Sequence, residues 1–235
     1  MPGDPRSPLT PFKKRPTLAE LKERLTTFFE AQSAPNLIPA AVQAANESWA
    51  TFGDGSVAPS DFLRPSPSAP YRVVEIPGKG RGMRASRDLQ AGDVVLAESP
   101  LIVLVKDKLL ALNFFALPKH AIHALLLLHN KIPENKEFSL QQDSPQHRLL
   151  DYLKGVATTN AFEGPVHKGR ERAGFIVLAG SLFNHSEEPN VYREFDVSSF
   201  KMTFTMIVSV KEGEELTVSY NQSPELLRSN YGIGA

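Results

Sequence analysis

The sequence predicts an α+β domain of short strands interrupted by a helical insertion. Three observations predict it. Helical periodicity precedes the first strand-like segments, a second helical stretch separates two groups of strands, and strand never alternates with helix in the regular β-α-β order that builds a parallel sheet. At 235 residues, 41% of them hydrophobic, the chain can build one full core with something extra.

Residues 1–16 read as a disordered tail, since eleven of the nineteen prolines fall before Tyr71 and several of them crowd this stretch. Thr17 is a candidate N-cap, with Glu20 completing a capping box. Leu18, Leu21, Leu25, Phe28 and Phe29 then recur at helical spacing, which predicts a helix over 17–32. A second helix is expected over 37–51, with Pro39 near its start and Gly53 and Gly55 after its end. Residues 53–70, rich in Gly, Ser and Pro, read as a linker.

The character changes at Tyr71. Residues 71–76 suit a strand by their β-branched content, and a glycine-rich loop follows, Pro77-Gly78-Lys79-Gly80-Arg81-Gly82. A turn at Gln90-Ala91-Gly92-Asp93 leads to a strand over 94–97, and another strand is expected over 101–105. Helices are expected over 117–130 and 146–154. Residues 200–210 alternate as one long strand, Lys211-Glu212-Gly213-Glu214 makes a tight turn, and 216–220 form the next strand. Residues 224–230 suit one short helix.

Composition excludes several classes. Basic and acidic residues balance at 26 each, so no global field draws the chain to nucleic acid or to an anionic membrane. Cysteine is absent, which removes disulfides and thiolate zinc sites and leaves an intracellular location, nucleus or cytoplasm, as the expectation. The apolar runs 101–105 and 124–128 fall far short of the roughly 20 residues that span a bilayer, and the N-terminus has no apolar segment of the secretory kind. Lys13-Lys14-Arg15 reads as a solvated patch before it reads as a nuclear address.

Four features can carry chemistry. The loop at 78–82 can hold a ligand on its amides, but it has neither P-loop spacing nor a helix after it; alone it reads as a plain hairpin loop before it reads as a ligand site. Asn184-His185-Ser186 with Pro189-Asn190 places donors and acceptors after an apolar segment, or makes an ordinary turn. Gly213 to Tyr220 is an acidic turn followed by a strand that ends on a tyrosine. His120 and His123 share a helix face, without the further ligands or the His-Glu-x-x-His pattern that zinc needs. No metal site is expected, and no Gly-x-Ser-x-Gly elbow suggests a serine hydrolase.

The order and separation of these features resemble the SET-domain family of protein lysine methyltransferases. Ile76-Pro77-Gly78-Lys79-Gly80-Arg81-Gly82-Met83, followed by Ala91-Gly92-Asp93, is similar to the opening of that domain. Asn184-His185-Ser186 with Pro189-Asn190 is similar to the family's Asn-His-Ser-Cys-x-Pro-Asn segment, with Glu187 in place of the cysteine. Gly213-Glu214-Glu215-Leu216-Thr217-Val218-Ser219-Tyr220 is similar to its closing segment. The resemblance covers 71–222, with the helical insert at about 107–160. It leaves 17–70 as a helical extension and linker and 223–235 as a shortened tail. The insert and Thr159-Asn160-Ala161-Phe162 resemble the SMYD-like branch and its fungal relatives, without that branch's zinc-binding MYND module.

The resemblance implies small curved sheets and a pseudoknot beside the cofactor S-adenosylmethionine. It implies that Lys79, Gly80, Arg81, Asn160, Ser181, Phe183, Asn184 and His185 line the cofactor pocket, and that Tyr220 stands where cofactor and substrate channel meet. The implied reaction moves a methyl group from a sulfonium to a lysine amine, so alignment within about 3–3.5 Å is most of the catalysis. Tyr220 would orient the amine rather than act as its base. The family's cysteine-rich closing segment, which binds zinc and walls the lysine channel, has no cysteines here; Tyr231 and Ile233 or the N-terminal helices are the expected substitutes. The expected partner is a protein or peptide presenting a lysine. A SET fold that does not methylate protein, serving as a binding module or acting on a small molecule, is the alternative.

Overall fold

The structure, a computed structural model, describes residues 38–104, 117–130, 145–165 and 172–231, with the single positions Ala19, Glu20, Glu23, Phe114 and Ile233. The tail 1–16 and most of the helix expected over 17–32 lie outside the described residues. Among the described residues three small sheets carry the fold. The first is a hairpin of β1 (Tyr71–Ile76) and β2 (Gly80–Ala85), extended by β10 (Glu215–Val218) and β7 (Asn184–His185) in the order β1-β2-β10-β7. The second is β3 (Val94–Glu98), β9 (Lys201–Met206) and β8 (Val191–Asp196); the third is β4 (Ile102–Leu104), β6 (Arg172–Ile176) and β5 (Phe162–Pro165). Every pairing is antiparallel except that of β10 with β7. Here Thr217 lies beside Asn184 and Val218 beside His185, so two distant segments run side by side. The α+β class expected from the sequence is the class observed.

The third sheet divides the core because strand side chains alternate between faces. Val103 and Phe175 point into one cluster with Met83, Phe183, Phe204 and Leu216. Ile102 and Ile176 point into another with Phe114, Leu125 and Val156. Helix α1 (Ile38–Phe52) contributes Ala40, Ala41, Ala44 and Ala45 to the first cluster. Their spacing of three and four residues makes a stripe of small side chains, along which the helix approaches β4. The segment 53–70 carries a short 3-10 turn, Asp61–Leu63, and its Phe62 packs against both clusters. Among the described residues no helix is long and apolar enough to cross a membrane.

Three elements depart from their expected bounds for visible reasons. The helix expected over 117–130 is α2 (Lys119–Leu125). Past it, the Leu127 carbonyl accepts from the Arg81 guanidinium and the His129 carbonyl from the Asn160 amide, so distant side chains take up the carbonyls that a longer helix would use. The helix expected over 146–154 runs further, as α3 (Pro145–Asn160). In its last turn the hydroxyls of Thr158 and Thr159 bond back to the carbonyls of Lys154 and Gly155, so these polar side chains are satisfied within the helix. The long strand expected over 200–210 is only β9. Phe200 has φ of 54° and turns the β8–β9 hairpin, and beyond Met206 the Ile207 amide makes one last bond in register, to the Asn190 carbonyl, before the chain bends at Ile207 and Val208. The closing helix, α4 (Pro224–Tyr231), sits where expected.

Candidate functional site

The crossing of β7 and β10 gathers most of the residues singled out in the sequence. Gly78 and Gly80 have φ of 75° and 74°, a conformation that glycine adopts without strain. The space where a Cβ of Gly80 would stand is open. At Gly82, by contrast, a Cβ would collide with the Asn184 amide and with Ile76, so glycine is what lets β2 approach Asn184. The Asn184 Nδ2 donates to Glu215 Oε1 at 2.9 Å, and the Lys79 Nζ donates to Glu215 Oε2 at 2.8 Å. One carboxylate on β10 therefore ties the loop before β2 to β7. Asn190 locks the same strand from its other edge: its Nδ2 donates to the Glu215 carbonyl and its Oδ1 accepts from the Thr217 amide, both at 2.8 Å.

Arg81, Asn160 and Ser181 form a second group. Besides the His129 carbonyl, the Asn160 Nδ2 donates to the Val156 carbonyl, each at 2.7 Å. The Ser181 hydroxyl lies 2.5 Å from the Val177 carbonyl and 3.5 Å from that of Asn160. The turn carrying Ser181, Gly180–Leu182, is set by a distant carboxylate. Glu98 on β3 accepts from the amides of Leu178, Ala179 and Gly180 at 2.9, 3.1 and 3.0 Å. Burial raises its carboxyl above the ordinary range, and these three amides oppose the rise.

Tyr220 and His185 interlock. The Tyr220 amide donates to His185 Nδ1 at 3.2 Å, and the Tyr220 hydroxyl donates to the Phe183 carbonyl at 3.0 Å. With Nδ1 accepting, the neutral ring carries its proton on Nε2, which is buried and has no partner. Burial first, and Lys79 among lesser causes, lowers the His185 pKa below its ordinary 6.5. Burial, with Tyr231 and Glu215 adding to it, pushes the Tyr220 phenol well above 10.0. The Phe183 ring lies in the core, stacked on Phe204 with centroids 4.7 Å apart, so only the backbone of Phe183 faces the site.

On its other side Tyr220 borders a cavity of about 430 Å³, lined also by Glu163, Arg172, Arg193, Ser219 and Asn221. None of the eight residues expected around the cofactor lines this cavity, so Tyr220 stands between two separate surroundings. Of the two residues expected to wall a channel, Tyr231 packs its ring 4.7 Å from that of Tyr220. Ile233 instead serves the end of α4, its amide donating to the Leu227 carbonyl. Neither lines the cavity. His120 and His123 meet edge to face, 6.3 Å between centroids. No cluster able to hold a metal ion occurs among the described residues.

Four residues that shape the site escaped sequence reasoning. Glu215 and Asn190 lie inside motifs that were read, but their spacing assigns them no partner. Glu98 has no local signal, since its three amides are far along the chain. Arg193 has one: it interrupts the inward row Val191, Arg193, Phe195 on β8, whose other members are buried and apolar.

The SET domain family matches the chain over residues 80–221. The chain belongs to the SET-domain family. The matched span opens at Gly80 and closes just past Tyr220, so it contains β7, β10 and nearly the whole cradle. The chain is also 28% identical over 162 residues to histone-lysine N-methyltransferase set5 of Schizosaccharomyces pombe, covering 67% of this chain and 44% of that protein. It thus spans less than half the length of that SET relative. Among solved structures, CpSET8 from Cryptosporidium is similar at 15% identity and a TM-score of 0.39, over 65% of this chain and 57% of that one. A candidate histone methyltransferase of Plasmodium falciparum is similar at 14% identity and a TM-score of 0.37, over 65% of this chain and 98% of that one.

Proposed function

We propose that this SET domain is an S-adenosylmethionine-dependent protein-lysine N-methyltransferase. The observation that carries the reading is the placement of Tyr220, bonded to Phe183 and His185 on one side and bordering an open cavity on the other. The cradle fits the cofactor on two counts: the open space beside Gly80 and the buried, unpartnered Nε2 of His185. Lys79, Gly80, Arg81, Asn160, Ser181, Asn184, His185 and the backbone of Phe183 would hold it. When bound, S-adenosylmethionine supplies an electrophilic methyl group on a sulfonium.

The chain's own part is orientation. The Tyr220 hydrogen is engaged with the Phe183 carbonyl, which leaves the oxygen's lone pairs to accept an N–H of an incoming amine. Its raised pKa keeps it neutral, so it does not serve as a general base. Nor does His185, whose Nδ1 is engaged by the Tyr220 amide. The acceptor amine, with an unperturbed pKa of about 10.4, therefore loses its proton to water as it leaves bulk solvent, where desolvation favours the neutral form. The acceptor is a polypeptide presenting a lysine, and the histone named for the relative is the first to try.

The test pairs a thermal-shift measurement with transfer of labelled methyl from S-adenosylmethionine to purified histones and to a cell extract. A ligand bound only by the folded state adds about 2.7 kcal/mol at 100 times its Kd, so a clear rise in Tm is expected, together with label in lysine. A rise with no label in protein would favour a small-molecule acceptor or a binding role. No rise at millimolar ligand would overturn the reading.

A further inference from the structure

We infer that Arg193 forms a carboxylate subsite in the cavity beside Tyr220, so that the preferred acceptor segment carries an aspartate or glutamate near its target lysine. This rests on the methyltransferase reading above. Arg193 occupies an inward position on β8, opposite Phe204 and between Val191 and Phe195, where the strand's alternation calls for an apolar residue. Its guanidinium lies 4.8 Å from the centre of the Phe162 ring, and its Nε is buried with no hydrogen-bond partner. Burial lowers its pKa, against Tyr192, Glu163 and Tyr231, which favour the charge, and with Arg172, which opposes it. The one carboxylate among these neighbours, Glu163, is bonded to Arg172 at 2.7 Å. Glu194, next along the strand, alternates to its exposed face and borders the same cavity, but it makes no ion pair with Arg193.

A guanidinium held among apolar groups without a counter-ion destabilises a fold. Its place on the wall of an open cavity gives it a use, because guanidinium binds carboxylate through paired, charge-assisted hydrogen bonds. It cannot attract the target ammonium, which has the same sign of charge. What it can recruit is a neighbouring acidic side chain on the segment that brings the lysine to Tyr220.

The test measures kcat/KM on a lysine-centred peptide library whose flanking positions hold Asp or Glu in one set, Asn or Gln in a second and Lys or Arg in a third. For the wild type the acidic set is expected to exceed the amide set at least tenfold at one or more positions, with the margin shrinking as salt rises. Arg193→Gln should erase the preference and Arg193→Glu should turn it toward the basic set, an inversion that a merely structural role would not produce. The Tm rise with S-adenosylmethionine checks that each variant is folded; should Arg193→Gln fail this check, Arg193→Lys replaces it, with a reduced acidic preference expected. Equal rates on all three sets with the wild type would overturn the subsite and leave the methyltransferase reading standing. Cofactor binding with no transfer to any peptide would remove that reading, and the subsite with it.

Discussion

The cradle around Asn184 and the cavity beside Arg193 meet at Tyr220 and are built on opposite terms. In the cradle the chain largely satisfies itself. Glu215 takes both Lys79 and Asn184, Asn190 takes the Glu215 carbonyl and the Thr217 amide of β10, and Asn160 holds two carbonyls. In the cavity wall, Arg193 is left without a counter-ion among the described residues, and Tyr220 is backed by an aromatic ring from the last helix. The cradle's elements are joined by backbone pairing and side-chain clamps, and such an arrangement keeps its shape when ligand leaves. Glu163 and Arg172 pair across part of the cavity, but Arg193 is unfilled, and such a group is where an incoming partner makes the difference. A polar site can be rigid because it is internally bonded or selective because it is not, and this SET domain does each on one side of a single tyrosine.

The comparison can be broken or sharpened by substitution. Asn190→Ala should have the largest effect on stability, because it leaves the Glu215 carbonyl and the Thr217 amide without partners. At roughly 1–3 kcal/mol for each buried group, a loss of about 3 kcal/mol is expected in urea unfolding. A loss confined to a few tenths would mean that the clamp does not hold β10. Tyr220→Phe should lower kcat by about a hundredfold, as misplacement of a reacting group does, while the Tm rise with S-adenosylmethionine stays intact. A joint loss of both would place Tyr220 in the cradle and end its role as a divide. Glu215→Gln keeps an acceptor for Asn184 and removes only the ion pair with Lys79, whose side chain is 45% exposed. Exposed pairs contribute little, so less than about 1 kcal/mol should be lost.

The smallest expected effect is on pH dependence. His185 has a folded pKa below 6.5, so below that pH the unfolded chain binds more protons than the folded one. Stability should therefore fall as pH drops from about 6.5 toward the folded value. His185→Gln should flatten that limb in denaturation curves recorded between pH 5 and 7.5, and an unchanged limb would assign the proton uptake to other groups.

The SET motifs were legible because they are local. Gly78 to Gly82, Asn184 to Asn190 and Gly213 to Tyr220 each carry their signal within ten residues, and their order sufficed to indicate the family. Helix ends were less legible, since α2 stops where Arg81 and Asn160, from elsewhere in the chain, take its following carbonyls. Glu98 is the extreme case: its three partners lie on a turn that only the folded chain brings near. Arg193 was readable in principle as a charged residue at an apolar beat of β8. That beat becomes visible only once the register with β9 is known.

The pairing of β10 with β2 has a consequence for the newborn chain. Until residues 215–218 leave the ribosome, β2 can pair only with β1, and its free edge is the kind of surface that captures another chain. A stall or a truncation before Glu215 should thus give a protein that aggregates, however complete its remaining sheets. The last strand to be synthesised in this sheet is the one that seals it, and contacts of such long sequence separation are slow to form. A small molecule that favours the sealed form would therefore raise soluble yield during expression, well before any methyl group is moved.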